Sequence, residues 1–535
     1  MEKINEVKEF LDKQNREIAK IYKKLNLAYF NAIVSGKKEF YREYENFAIE
    51  IENFFHNKED FKKIKNYLKD NIENKLDERQ LKLLYNSYIG SQGDINLIKK
   101  IVKLSAKLEK RFNTFRAKIK EKKFTDNEIK EILKTETDSE IVEEAWSASK
   151  KQGEIAFKDV IELVKLRNQL AKSLGFENYY EFSLKIHEQK EKEVEKIFRE
   201  IEEKTNEPFK KLKQKIDNFL SKKFNIREDE LKPWHYQDLF FQETPEIRSI
   251  NLDKYYKKDV IETAKNFYKS IGIDVSDILE KSDLYEREGK YQHACCIDID
   301  REGDTRIVEN VKNDTGWIKT TLHELGHAIY NIGYAKENLP FLLKDAAHIF
   351  VTEAIAQFFE RETRNSNFIN AYSEIKLNED DLRKLNIKIK KELMFEELVF
   401  CRWSLVMFNF ERELYKNPEQ DLNKLWWHFV KKYQMIDFCR DKPDWASKIH
   451  FISAPVYYHN YFLGRILASQ IHNYIIKNIT KQKADDYNYS GNKEIGKYLN
   501  KKLFSLGSSL RWDETIKKAT GENLNPKYWI NRFIE

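Results

Sequence analysis

The residues best suited to chemistry lie in the run TLHELGHAIY, at positions 321–330. His323 and His327 are four positions apart, so on a helix they lie one above the other and can direct ring nitrogens at one metal ion. Glu324 directly follows the first histidine, where its carboxylate can accept a proton from an attacking water. This HExxH spacing predicts zinc-dependent hydrolysis, but the five residues alone are equally compatible with two surface histidines on an ordinary helix.

A third metal ligand is expected further along the chain, because catalytic zinc usually takes three protein ligands and keeps one open position. A histidine six residues after His327 would indicate a metzincin, but that position is Gly. The acidic candidates downstream are Asp345, Glu353, Glu360 and Glu362. Glu353 is favoured because its neighbours are apolar, and a metal would offset the cost of burying a carboxylate there. Glu360 and Glu362 flank Arg361, which predicts a solvated helix end.

The helix that carries the HExxH run is predicted to be buried. Four apolar residues share a face apart from the histidines. They are Ile318, Leu322, Leu325 and Ile329. Gly326 costs about 1 kcal/mol in a helix interior, and the close approach of another backbone would explain its presence.

The scaffold around this helix is also predicted to be helical. The 535 residues include only 16 Gly and 8 Pro, well below the roughly 7% and 5% of average proteins. Apolar residues such as Ile4, Val7 and Leu11 recur with a helical period through the first ~220 positions. One short β-like run at 291–299 precedes the HExxH run. We therefore predict a single all-α unit over residues 1–535, with a minor β element near the active site and no interdomain linker.

Charge and composition argue against several classes of protein. The chain has 96 basic and 89 acidic side chains, a net charge of +7, and no long block of one sign, which predicts a solvated surface rather than a nucleic-acid interface. No stretch reaches the roughly 20 apolar residues of a membrane span, and the charged N-terminus lacks the apolar segment of a signal peptide. The four cysteines form no CxxC pair. We expect a cytoplasmic monomer or homodimer without a membrane or nucleic-acid partner.

Longer motifs around the HExxH run resemble the angiotensin-converting-enzyme family of peptidyl-dipeptidases, in particular its bacterial single-domain relatives. HELGHxxYxxxY at 323–334 is similar to the family's metal helix, and TEAIAQ at 352–357 is similar to its HEAIGD stretch. The order WW…YQ…KxH over positions 426–450 follows the same family. The resemblance covers most of the chain and is densest from about 230 to 470.

This resemblance implies a fold and a metal site. The fold would be an all-α ellipsoid of two lobes with a deep central substrate groove, over which N-terminal helices (about 1–120) form a lid. One Zn²⁺ ion would be held by His323, His327 and Glu353, with Glu324 as the catalytic base.

Other matched positions imply contacts with a peptide substrate. The run QHA, which ends in His293 and Ala294, is similar to the family's substrate-binding strand. The histidine and the alanine backbone would hold the peptide as an added strand. Gln237, Lys448 and Tyr458 stand at positions implied to bind the C-terminal carboxylate of the substrate.

Two further matches and two departures concern the reacting groups. Tyr461 is implied to donate a hydrogen bond to the oxyanion, and His450 is implied to assist it. Gln357 stands where the family has an Asp that orients the first zinc histidine, and such partners are worth about 10–100-fold in metal affinity or activity. Asn460 replaces an Arg that is linked to chloride in the animal enzymes, which argues against chloride activation.

The predicted function is zinc-dependent hydrolysis of short peptides, with release of dipeptides from a free C-terminus. A general oligopeptidase of the thimet or oligopeptidase F kind is the alternative among enzymes, because it shares the helical groove. A metal- or peptide-binding protein with weak turnover is a second alternative, which Gln357 favours and which Glu324 and Tyr461 disfavour. A helical scaffold with an incidental HExxH run would bind no metal.

Overall fold

The computed structural model describes residues 2–70, 72–247, 250–256, 258–291, 293–481 and 487–534. These residues form 21 α-helices and two small antiparallel hairpins, which confirms the predicted all-α fold. Within the same ranges, no helix combines the length and the apolar character that crossing a membrane requires.

The helices and strands follow one another along the chain in this order. Up to residue 281 they are α1 (Glu2–Ser35), α2 (Lys38–Phe55), α3 (Lys58–Tyr67), α4 (Lys75–Ile89), α5 (Ile95–Thr114), β1 (Ala117–Ile119), β2 (Lys122–Phe124), α6 (Asp126–Thr135), α7 (Ser139–Ser173), α8 (Tyr179–Ile186), α9 (Glu191–Phe224), α10 (Val260–Ser270) and α11 (Ser276–Lys281). The remainder are β3 (Cys295–Asp298), β4 (Thr305–Val308), α12 (Thr315–Ala335), α13 (Ile349–Glu360), α14 (Ser366–Tyr372), α15 (Glu379–Lys416), α16 (Leu422–Phe429), α17 (His450–Ser453), α18 (His459–Tyr474), α19 (Lys493–Lys502), α20 (Trp512–Thr520) and α21 (Lys527–Phe533).

The chain divides into two compact units. The first unit comprises Met1–Gln92, Asn251–Ile389 and Leu463–Trp529. The second unit comprises Gly93–Ile250, Lys390–Phe462 and Ile530–Glu535. Three of the boundaries fall inside the helices α15, α18 and α21 rather than in linkers. The helices expected to form a lid divide between the units at Gln92, and both the lid and the central groove stay predictions.

Helices α12 and α13 of the first unit are started by side-chain caps. The Asp314 side chain accepts a hydrogen bond from the backbone N–H of Trp317 at 2.8 Å. His348 does the same for α13, because its Nδ1 accepts from the N–H of Phe350 at 3.1 Å. Each cap satisfies a backbone donor that the first helical turn leaves without a partner. The starts of the two helices that carry the candidate metal ligands are therefore fixed locally.

The two helices pack closely, as the apolar stripe and the glycine of α12 predicted. The four residues of the stripe expose no more than 1% of their surface, which confirms their predicted burial. A Cβ atom placed on Gly326 would lie 2.7 Å from Cα of Ala356 on α13. No larger residue fits at that position, so the predicted close approach of another backbone is confirmed.

The β element before α12 is a hairpin that packs on α1. Strands β3 and β4 pair antiparallel, with Cys295 opposite Val308. Only Cys295–Asp298 of the predicted 291–299 run is strand, so the predicted bounds are too wide. The physical reason is that the Tyr291 N–H donates to the carbonyl of Ile33 on α1 at 2.8 Å instead of pairing within the sheet. Apolar residues of α1 and the hairpin complete one small core.

Candidate metal centre

The predicted metal ligands come together in the first unit. The rings of His323 and His327, one turn apart on α12, have centroids 5.0 Å apart. Glu353 on α13 faces both rings, with Oε1 at 4.0 Å from Nε2 of His323 and Oε2 at 3.7 Å from Nε2 of His327. The ligand atoms of these three side chains lie within 4.8 Å of one another. In the described part of the chain, they are the histidine, cysteine and acidic side chains that are grouped closely enough to hold a metal ion.

The chemistry of this set fits zinc. Two imidazole nitrogens and one carboxylate are the ligands of many catalytic zinc sites. Zinc bonds of about 2.0–2.2 Å place tetrahedral ligands about 3.4 Å apart, so a small inward movement of the side chains would close the site on an ion. Glu353 exposes 7% of its surface, and a buried carboxylate of this kind needs a positive partner. We refer to His323, His327, Glu353 and Glu324 as the metal centre.

The outer ring nitrogens of the two histidines have defined partners. Nδ1 of His323 lies 2.8 Å from Oε2 of Glu360, and Nδ1 of His327 lies 2.8 Å from Oγ1 of Thr352. Gln357, the expected partner of His323, instead donates from Nε2 to Oε1 of Glu353 at 2.8 Å. The contact anticipated for position 357 is therefore made by Glu360.

The prediction of a solvated helix end after α13 is wrong. The side chain of Glu360 is 16% exposed, and Glu362 is 4% exposed. Glu360 stands seven residues after Glu353, which places both carboxylates on one face of a helix. That spacing was the available signal, and the adjacent charged residues obscured it.

The charges of the metal centre depend strongly on one another. Burial raises the pKa of Glu324 to about 7 against the opposing charge of His323, and Glu353 adds to the rise. Burial alone would lower the pKa of His323, but Glu353 and Glu360 outweigh it and raise the pKa to about 10. Burial and the charge of His323 lower the pKa of His327 to about 3. A divalent cation bound here would supply the positive charge that the site otherwise draws from His323.

One contact and one charged neighbour of Glu324, the catalytic-base candidate, were missed from the sequence. The backbone N–H of Cys296 on β3 donates a hydrogen bond to the Glu324 carboxylate. Glu309 is fully buried nearby, where its Oε2 accepts from Oγ1 of Thr321 at 2.8 Å and burial raises its pKa to about 8. The sequence does not show which side chain a strand N–H will contact, and a single Glu after a strand gives little indication that it is buried near Glu324. The hairpin of β3 and β4 therefore contacts the Glu324 carboxylate directly.

The predicted peptide-binding residues lie just before β3. His293 is exposed and Ala294 half-buried, and neither belongs to a strand. The ring of His293 lies 5.2 Å from that of Tyr291, centroid to centroid. Gln292, which completes the predicted run, lies outside the described residues. The peptide contacts of His293 and Ala294 stay predictions.

In the second unit, the predicted residues Lys448 and Tyr458 lie close together, among three residues that the sequence did not single out. Lys448 is 8% exposed and donates from Nζ to Oε1 of Gln242 at 2.8 Å. The same Nζ lies 5.1 Å from the ring centroids of Phe240 and Trp403 and 5.3 Å from that of Tyr458. Burial lowers the pKa of Lys448 to about 8. We call these five residues the lysine site.

Gln237, the glutamine expected beside Lys448, is used elsewhere. Its Oε1 accepts from the N–H of Glu246 at 2.8 Å, and its Nε2 donates to the carbonyl of Lys134 at 3.3 Å. Gln237 therefore ties the end of α6 to the segment around Glu246, whereas Gln242, five residues later, meets the lysine. Nothing in the sequence distinguished the two glutamines, because both lie in one irregular segment.

The remaining predicted residues of the second unit form an aromatic cluster. The ring of His450 lies 4.9 Å from that of Tyr458 and 6.2 Å from that of Tyr461, and the tyrosine rings are 5.3 Å apart. Nε1 of Trp403 donates to the Tyr458 hydroxyl at 2.6 Å. Burial lowers the pKa of His450 to about 3, so this histidine is neutral at physiological pH. The structure thus brings His450 and both tyrosines together.

The family model described as "Angiotensin-converting enzyme", a peptidase family, matches residues 1–230 and 241–528. An angiotensin-converting enzyme from Theromyzon tessulatum is 23% identical over 306 residues, which cover 54% of this chain and 49% of the relative.

Two further relatives are similarly distant. The angiotensin-converting enzyme-like protein Ace3 of Mus musculus is 26% identical over 227 residues, which are 40% of this chain and 29% of the relative. Carboxypeptidase 1 of Bacillus subtilis (strain 168) is 25% identical over 253 residues, which are 43% of this chain and 49% of the relative. The chain thus spans about half the length, or less, of the curated relatives that it matches.

Proposed function

Because this chain belongs to the angiotensin-converting enzyme family of peptidases, we propose that it is a zinc-dependent peptidase that releases dipeptides from the free C-terminus of short peptides. The observation that carries this proposal is the convergence of His323, His327 and Glu353, with Glu324 alongside them. Without a metal, the same arrangement would be energetically unfavourable, because it buries the carboxylates of Glu324 and Glu353 close together.

In this proposal His323, His327 and Glu353 hold the ion, and Glu324 moves the proton. An ion held by these residues would supply Lewis acidity toward the scissile carbonyl and toward a water molecule. Glu324 accepts the proton of the attacking water and returns it to the leaving amine. Its carboxyl is buried beside the candidate ligands, where it accepts a hydrogen bond from the backbone N–H of Cys296.

Release of dipeptides requires recognition of a free C-terminus, and we propose the lysine site for that role. Its ammonium group and the amide of Gln242 provide a charge and hydrogen-bonding groups for a carboxylate. The surrounding rings of Phe240, Trp403 and Tyr458 exclude water, which strengthens such a contact. Tyr461 keeps its predicted role as the oxyanion donor, with His450 as its neighbour.

The test compares the wild type with Glu324→Gln on one short peptide, prepared with a free and with an amidated C-terminus, while zinc content is assayed. We expect about one zinc per chain in both proteins. The wild type should release dipeptides from the free peptide, and the variant should lose about 10²–10⁴-fold in kcat while retaining zinc.

Each other outcome selects a different function. Internal cleavage of both peptides by the wild type would indicate a general oligopeptidase. Zinc binding without cleavage would indicate a metal- or peptide-binding protein. Absence of zinc from the purified wild type, even after incubation with the ion, would leave the HExxH run incidental.

A further inference from the structure

Two consecutive turns of α13 present two different polar side chains to the metal centre. Gln357 donates to the ligand Glu353 from its side-chain nitrogen at 2.8 Å. Glu360, three residues later, meets Nδ1 of the ligand His323 at 2.8 Å through its Oε2. Glu360 thus contacts His323, whereas Gln357 contacts Glu353, so the two side chains have different partners.

Glu360 also contacts a cation on the helix that carries the histidines. Nζ of Lys319 lies 3.8 Å from its Oε1. Lys319 and His323 are four positions apart on α12, so they lie on one face of the helix. The Glu360 carboxylate therefore contacts both Lys319 and His323, one through each of its oxygens.

The contact with Nδ1 determines what the opposite ring nitrogen can do. A carboxylate accepts a hydrogen bond from Nδ1–H, so the proton stays on Nδ1 and the lone pair of Nε2 is directed away from Glu360. Nε2 is the His323 nitrogen that lies 4.0 Å from Glu353, on the metal side of the ring. Because the carboxylate also limits rotation of the ring, it fixes both the tautomer and the direction of the ligand atom.

We propose that Glu360, fixed in place by Lys319, is the positioning residue that prepares His323 for zinc, a task that Gln357 does not perform. This inference rests on the proposed zinc site. A purely structural role for Glu360 would be to join α12 and α13 through an ion pair. In that case its removal would lower stability without changing the affinity for zinc.

The experiment measures zinc affinity rather than peptide hydrolysis. Metal-free full-length protein is titrated with Zn²⁺ against a chromophoric chelator, for the wild type and for Glu360→Gln, which keeps the size of the side chain. We expect the variant to bind zinc about 10–100-fold more weakly. Glu360→Asp, which keeps the charge on a shorter side chain, should recover part of the loss.

Glu362→Gln is the matched control, because it removes a buried carboxylate two residues away on the other side of Arg361. Glu362 is buried, and its Oε2 accepts a hydrogen bond from the backbone N–H of Tyr489 at 3.4 Å. This variant should lower the melting temperature of the metal-free protein but leave the zinc affinity unchanged. Co²⁺ can replace zinc to report geometry, and its visible absorption should change for Glu360→Gln and not for Glu362→Gln.

The outcomes separate this inference from the proposed function. If the wild type takes up no zinc, the proposed function fails at its first step. If the wild type binds zinc and Glu360→Gln binds it equally well with an unchanged cobalt spectrum, only the role of Glu360 is refuted. Equal weakening by Glu360→Gln and Glu362→Gln would also refute it, because the effect would then come from general destabilisation.

Discussion

The metal centre and the lysine site are opposite solutions to the burial of charge. At the metal centre, Glu324 and Glu353 are both less than 10% exposed. His323 compensates their charge in part, whereas His327, whose pKa is lowered to about 3, does not. At the lysine site, one ammonium group lies among three aromatic rings and meets a neutral amide.

This difference indicates what each region can bind. An excess of buried carboxylate favours a cation, and the shift of the His323 pKa to about 10 shows how strongly the metal centre attracts positive charge. A buried ammonium group favours an anion, and burial lowers the pKa of Lys448 to about 8 even though the charge of Asp238 opposes that shift. One chain therefore carries a site suited to a metal ion and another suited to a carboxylate.

The largest expected effect removes the carboxylate excess at the metal centre. Glu353→Gln keeps the size of the ligand but loses its charge, so we expect zinc affinity to fall by more than the roughly 10–100-fold typical of a change behind a ligand. Zinc content after dialysis and peptide hydrolysis should fall together. Retention of a full zinc equivalent by this variant would show that Glu353 is not a ligand.

A smaller effect is expected from the cation of the lysine site. Lys448→Met keeps the apolar stem and removes the charge, and a hydrogen bond to a charged group contributes about 1.5–3 kcal/mol. We therefore expect kcat/KM to fall about 10–100-fold for a peptide with a free C-terminus and to change little for its amide. An equal loss on both peptides would contradict carboxylate recognition.

The two glutamines provide a matched control for this prediction. Gln242→Leu removes the partner of Lys448 and should reduce the preference for the free peptide over the amide. Gln237→Leu removes the contacts with Glu246 and Lys134, so it should lower thermal stability and leave that preference unchanged. The reverse result would restore Gln237 to the role that the sequence suggested.

Sequence reasoning succeeded where the position of a side chain follows from helix periodicity. Spacing placed His323 and His327 on one face, and the apolar neighbours of Glu353 led to the side chain that faces both rings. The stripe on α12 and Gly326 likewise predicted its packing against α13. These features depend on residues within a few turns of one helix, which a linear sequence displays directly.

It failed where the partner is chosen by the tertiary structure. Glu360 was assigned to a solvated end because its sequence neighbours are charged, yet α13 places it against His323. Gln242 and Gln237 lie in an irregular segment, in which no periodicity tells which side chain meets Lys448. The strand at 291–299 was drawn too long because residues of α1 take the hydrogen bond of Tyr291.

The smallest expected effect is a dependence on pH that belongs to the lysine site alone. Because burial lowers the pKa of Lys448 to about 8, this side chain loses its proton as pH rises through that value, and a neutral amine attracts a carboxylate poorly. The carboxylate of the substrate stays ionised throughout, so affinity should be full below the pKa and fall above it.

The ratio of KM for the free peptide to KM for its amide isolates this titration, because changes at the metal centre affect both substrates. We expect the ratio to rise about twofold by pH 8 and about tenfold by about pH 9 relative to neutral pH, as for one group with the lowered pKa. In Lys448→Met the ratio should be independent of pH. Lys448→Arg, whose charge persists beyond pH 12, should also abolish the rise while retaining more of the preference for the free peptide. A rise that survives in Lys448→Arg would assign the titration to another group and separate carboxylate recognition from Lys448.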